Sequence, residues 1–137
     1  MTYLLDTHLL LWLAVRPDLL PTQATKLLAD LEKALYFSVV SIWETAIKTQ
    51  AQKDRPRPKD LQINANHLRR NLLANGYTEL TITGEHSLAV AGLPQIHKDP
   101  FDRMLLAQAE VEGFTLVTAD STVAKYHEPP LRRILKV

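Results

Sequence analysis

The stretch DPFDRMLLAQAEVEGFTLVTAD, running from Asp99 to Asp120, reads as one complete helix followed by one strand. Asp99 is a good N-cap residue, and Pro100 suits the first helical position, where its missing N–H costs nothing. Leu105, Leu106 and Ala109 recur at helical spacing, and Gly113 marks the stop after Glu112. Phe114 to Thr118 follows as a short run rich in aromatic and β-branched residues, the composition of a buried strand. Asp120 stands just past its end.

The same alternation extends in both directions. Upstream, Tyr3-Leu4-Leu5 reads as a buried strand ending in Asp6, and Thr7 to Val15 as a short helix stopped by Arg16-Pro17. Leu27, Leu28 and Leu31 place a second helix over Thr22 to Ala34, and Tyr36 to Val40 reads as a second strand. Ser41-Ile42-Trp43-Glu44 has the form of a capping box opening a helix that reaches about Gln52. Pro56 and Pro58 make Lys53 to Lys59 a loop, and Asp60 to Asn75 is helical again, closed by Gly76. Glu79 to Thr83 reads as a short strand and Glu85 to Ala91 as a short helix. A further short helix after Ser121 and a strand over Leu131 to Val137 complete the pattern. Strands alternating with helices, with few hairpin signals, predict an α/β fold whose parallel sheet is covered on both faces, in a single domain spanning 1–137.

Composition narrows the function classes. With 46% apolar residues the chain of 137 residues can bury a core. Lys and Arg number 16 against 15 acids, a net charge of +1, so the molecule is not a polycation built to coat nucleic acid. Cysteine is absent, which excludes a disulfide scaffold, a thiol nucleophile and a thiolate zinc site. The longest apolar run, Leu9 to Val15, falls short of the roughly 20 residues that a membrane span needs. No basic start of a secretory signal precedes it, so a cytoplasmic protein without membrane partners is expected. The four glycines, at 76, 84, 92 and 113, form no phosphate-cradling loop or dinucleotide fingerprint.

In parallel sheets of this kind ligands collect beyond the carboxyl ends of the strands. Four acids are predicted there: Asp6 and Asp120 after strands, and Glu44 and Asp102 in the first turns of helices. Asp102 shares a helical stripe with Leu105, Leu106 and Ala109, and a buried carboxylate needs a cation, a proton or several donors. Clustered carboxylates without Cys or paired His favour a hard divalent ion, Mg²⁺ or Mn²⁺, and such clusters most often hydrolyse phosphodiesters. Each acid also has a structural reading. Glu44 can close the capping box with Ser41 or pair with Lys48, Asp6, Asp99 and Asp120 can cap helices, and Asp102 can favour a helix dipole. His8 and His97 fall near the acids without forming a ligand pattern. Between Lys48 and Arg70, seven cations face two acids, giving that segment +5 and the remainder −4, a flank suited to a polyanion or simply to solvent.

Taken together, Leu5-Asp6-Thr7-His8, Ser41-Ile42-Trp43-Glu44, His97-Lys98-Asp99-Pro100-Phe101-Asp102-Arg103 and Thr118-Ala119-Asp120 resemble the motifs of PIN-domain ribonucleases, specifically VapC-type toxins of prokaryotic toxin–antitoxin pairs. The resemblance spans essentially the whole chain. It implies a three-layer α/β/α sandwich and a metal-dependent endoribonuclease acting on RNA such as tRNA or rRNA. It further implies Asp6, Glu44, Asp102 and Asp120 as the metal-binding and catalytic acids. Asp99, Thr118 and Ser41 would support them, a small antitoxin would be the protein partner, and the toxin would be a homodimer. The alternative from another class is a catalytically silent PIN-like scaffold that binds RNA or a partner peptide.

Overall fold

The structure is a computed structural model that describes residues 1–50, 62–127 and 133–137. Its centre is a parallel sheet of five strands in the order β3-β2-β1-β4-β5. These are β1 (Thr2–Leu5), β2 (Ala34–Ser38), β3 (Thr78–Leu80), β4 (Thr115–Thr118) and β5 (Arg133–Lys136). The helices are α1 (Thr7–Val15), α2 (Thr22–Ala29), α3 (Val39–Gln50), α4 (Ala65–Ala74), α5 (Gly84–Ala89), α6 (Pro100–Glu112) and α7 (Ser121–Ala124). Among the described residues, no helix is long and apolar enough to cross a membrane.

Strand register explains the layers. Leu4 lies opposite Tyr36 and Leu116, and Leu116 opposite Ile134, so one row of side chains faces one side of the sheet. That row packs with Leu105, Leu106 and Ala109 of α6, Val123 of α7 and the buried Tyr126. Leu5 lies opposite Val117, and with Tyr3 and Phe37 these face the other side. They meet Leu9 and Leu10 of α1, Ala24 of α2 and Leu68 and Leu72 of α4. The result is the expected α/β/α sandwich. The chain moves from β1 outward to β2 and β3, then returns past β1 to β4. That reversal opens a crevice at the carboxyl ends of β1 and β4.

The helix from Asp99 to Gly113 forms as its sequence predicts. The Asp99 carboxylate accepts the amides of Phe101 (2.8 Å) and Asp102 (3.3 Å), and Gly113 takes the left-handed φ of 72° that ends the helix. Other boundaries differ. The capping box at Ser41 does not open α3, which starts at Val39 directly after β2. The Ser38 hydroxyl accepts the Val40 amide instead (3.0 Å), because fully buried Val40 is drawn into the core as helix rather than strand. The second helix stops at Ala29, not Ala34. Asp30 turns the chain by accepting the Glu32 amide, and Leu31, read as a core position, is 98% exposed. α4 begins only at Ala65, where Asn64 caps it, and pairing of β3 ends at Leu80. The short helix read over Glu85 to Ala91 begins at Gly84 and becomes a 3-10 turn at Val90. The loop read at Lys53 to Lys59 lies outside the described residues, and so do Lys53, Arg55, Arg57 and Lys59 of the basic flank.

A buried polar chain ties the end of β2, which leads into the helix carrying Glu44, to α6, which carries Asp102. The Ser38 hydroxyl donates to Gln108 Oε1 of α6 (2.5 Å), and Gln108 Nε2 donates to the Thr81 carbonyl (3.3 Å). Buried His86 accepts the Thr83 amide at Nδ1 (3.1 Å), which leaves its Nε2 proton for Glu112 (3.1 Å). Gln108→Leu keeps the volume but strands the Ser38 hydroxyl and the Thr81 carbonyl. Urea denaturation is expected to show a loss of about 1–3 kcal/mol. An unchanged midpoint would show that the network adds nothing to stability.

Candidate metal centre

Four acids from distant parts of the chain meet in one small cleft at the crevice. It is about 120 Å³ and is lined by Asp6, Thr7, His8, Glu44, Lys48, His97, Asp99, Asp102 and Asp120. Asp6 leaves β1 and caps α1 by accepting the Leu9 amide at Oδ1 (3.0 Å). Its Oδ2 accepts a short hydrogen bond from the Thr118 hydroxyl at the end of β4. The same hydroxyl accepts the Asp120 amide (2.9 Å), so Thr118 ties the two strand-end acids together. Asp120 caps α7 through Oδ1, on Thr122 (2.7 Å) and Val123 (3.3 Å). Ser41 pairs with the Thr7 hydroxyl (2.9 Å) and so braces α3 against α1.

Glu44 is the anomaly. Its Oε2 is engaged in a short ion pair with Lys48, one turn along α3. Its Oε1 is buried and has no hydrogen-bond partner, the one such side-chain atom among the described residues. A buried charged oxygen without a donor is costly, and a cation bound beside it would satisfy it. The tightest donor group is a different one. One atom each from His97, Asp102 and Asp120 lies within 4.8 Å of the others, so the three together could hold a metal ion. Asp6, held by Thr118 and Leu9, stands beside that group rather than in it.

The electrostatics agree with the crowding. Burial pushes Asp6 up to about 6, against the hydrogen bonds from Thr118 and Leu9, and the charges of Asp120 and Glu44 add to the rise. Burial also lifts Asp102 to about 6. The His97 contact opposes it, and Asp99, Glu44 and Asp6 reinforce it. These oxygen donors with one imidazole fit a hard or borderline divalent ion.

By sequence, residues 3–128 match the family model for the PIN domain. The chain belongs to the PIN domain family. Its fold also matches solved structures. VapBC2 from Rickettsia felis, bound to a DNA fragment from its promoter, aligns over 100% of this PIN domain chain and 99% of that chain. The TM-score is 0.71 at 15% identity. A toxin–antitoxin complex from Klebsiella pneumoniae aligns over 98% and 96% at a TM-score of 0.61 and 18% identity. FitAcB from Neisseria gonorrhoeae gives the same coverage and TM-score at 17% identity. At such identities the likeness is one of fold, the PIN α/β/α sandwich. No curated protein matches the chain in sequence.

The cleft of this PIN domain thus contains each acid read from the sequence, with Asp99 and Thr118 beside them. The sequence puts His97 near the acids, where it could touch a substrate phosphate, but does not pair it with Asp102, to whose Oδ2 its Nε2 is hydrogen-bonded at 2.8 Å. The signal available was its place five residues before Asp102, but no periodicity fixes where a loop residue points.

The raised acids set a pH dependence for the ion-free protein. A carboxyl whose pKa is higher folded than unfolded contributes stability below the unfolded value of 3.8, and that contribution is lost as pH rises through about 6. Asp102→Asn removes one of these ionisations. In EDTA its melting temperature is expected to rise relative to wild type between pH 4.5 and pH 7.5. A difference that stays constant across that range would rule out a raised Asp102 pKa.

Proposed function

We propose that this PIN domain is a metal-dependent endoribonuclease and the VapC-type toxin of a toxin–antitoxin pair. Mg²⁺ or Mn²⁺ is its cofactor, and structured RNA such as tRNA or rRNA is its substrate. The observation that carries the reading is the buried, unpartnered Glu44 Oε1 inside a cleft of four further carboxylates. A catalytically silent scaffold has no use for such an atom. The toxin assignment rests on the motif resemblance and on the likeness to the toxin–antitoxin complexes, and it brings with it a small antitoxin partner and a homodimer.

In this reading Asp6, Glu44, Asp102 and Asp120 hold the ion. Bound there, a divalent ion supplies a Lewis acid that makes water nucleophilic at neutral pH and offsets the phosphodiester's charge. The chain's own residues do the rest. Thr118 and the Leu9 amide fix the Asp6 carboxylate so that it does not reorganise during the reaction. Asp99 holds the first turn of α6, and with it Asp102, in place. Lys48, with 41% of its side chain exposed at the rim, pairs with Glu44 and adds positive charge where a phosphate would enter. The reading requires no covalent intermediate, so direct hydrolysis is the expected course.

Purified wild type and Asp102→Asn, incubated with total tRNA and rRNA, provide the test. Wild type is expected to give discrete fragments with Mn²⁺ or Mg²⁺ and none in EDTA. The variant should be slower by at least about a hundredfold, the scale of losing several kcal/mol of charge stabilisation. Saturating Mn²⁺ should also raise the wild-type melting temperature, since an ion at about 100 times its Kd adds about 2.7 kcal/mol. Cleavage by Asp102→Asn at the wild-type rate would overturn the acid site. Metal-independent inactivity of both folded proteins would favour the silent binding scaffold.

A further inference from the structure

His97 occupies the cleft because its loop is clamped from beneath. It lies in the connection between the 3-10 turn Val90–Gly92 and α6. Tyr126, fully buried, accepts the amides of Ile96 (3.2 Å) and His97 (2.7 Å) at its hydroxyl and donates to the His97 carbonyl (3.4 Å). Arg103, only 9% exposed, donates through Nη1 to the same hydroxyl (3.2 Å) and to the Pro94 carbonyl (2.8 Å). Its Nη2 donates to the Val90 carbonyl (3.1 Å). Burying a guanidinium is expensive, and here it is spent on fixing the backbone of one short connection. The residue at the end of that connection presents its imidazole to Asp102.

We propose that His97 is an ion ligand in its own right, giving the site one nitrogen donor beside its carboxylates and a preference for Mn²⁺ over Mg²⁺. The inference rests on reading the cleft as an ion site, to which the unpartnered Glu44 Oε1 points independently. His97 Nε2 and Asp102 Oδ2 are hydrogen-bonded at 2.8 Å, and that separation is close to the roughly 3 Å between neighbouring ligands at right angles on an ion with bonds of about 2.1 Å. Asp120 completes a group of three donors from one loop, one helix N-terminus and one strand end. Mg²⁺ takes oxygen ligands and gives up its waters reluctantly, whereas an imidazole nitrogen adds affinity for transition-metal ions.

Electron spin-echo modulation of the Mn²⁺-loaded full chain reads directly bound ¹⁴N without relying on activity. Wild type is expected to show imidazole nitrogen coupling, to keep it in His8→Ala, and to lose it in His97→Gln, which retains a hydrogen-bonding side chain near Asp102. Titration should show Mn²⁺ binding at least about tenfold tighter than Mg²⁺ in wild type, with the ratio collapsing in His97→Gln. Labelling wild type with ¹⁵N-histidine should alter the coupling, a readout that needs no folded variant. Bound Mn²⁺ without nitrogen coupling, or coupling lost with His8 instead, would overturn His97 as a ligand while leaving the carboxylate site intact. Failure of wild type to bind Mn²⁺ at all would overturn both this inference and the ion-site reading beneath it.

Discussion

Carboxylates that repel one another are held together at the crevice between β1 and β4, and much of the surrounding structure keeps them there. Asp6 and Asp120 sit at the ends of adjacent strands, joined through the Thr118 hydroxyl. Glu44 enters from the second turn of α3 and Asp102 from the first turn of α6, and the Ser38–Gln108 contact fastens α6 to the end of β2, which leads directly into α3. Burial first, and the neighbouring charges after it, favour the protonated acids, and the upward shifts of Asp6 and Asp102 express that tendency. A divalent cation would remove the conflict without a proton. It would also supply the partner that Glu44 Oε1 lacks.

In the proposed site, helix capping and ion holding would fall to the same side chains. Asp6 and Asp120 each use Oδ1 to satisfy backbone amides at a helix start. The caps therefore fix the carboxylates in orientation at no cost in extra residues, and a parallel sheet puts such helix starts beside one another at its carboxyl edge. Asp99 shows the limit of the device. It caps α6 and lines the cleft, yet it stands outside the tight donor group of His97, Asp102 and Asp120.

What the sequence made legible was local. An Asp before a proline-led helix, a glycine after it and a β-branched strand are decided within a few residues, and α6 and β4 formed as read. Ser41 shows where local patterns mislead. Its capping box is complete in sequence, but burial of Val40 moves the helix start and leaves Ser41 bracing Thr7. Leu31 fitted a helical stripe and proved to be solvent-facing once Asp30 turned the chain. His97 was out of reach for a further reason. Its position depends on Tyr126, 29 residues away, and on Arg103 from the following helix, contacts that no periodicity encodes.

The central claim is that the acid cleft is a cation site completed by the partnerless oxygen of Glu44. Anomalous diffraction from crystals grown with Mn²⁺ tests it most directly. The account predicts a strong peak in the cleft, within bonding distance of Asp102 and Asp120 and reached by Glu44 Oε1 directly or through a water. A well-ordered cleft with no peak at saturating Mn²⁺, Glu44 still turned to Lys48, would contradict it.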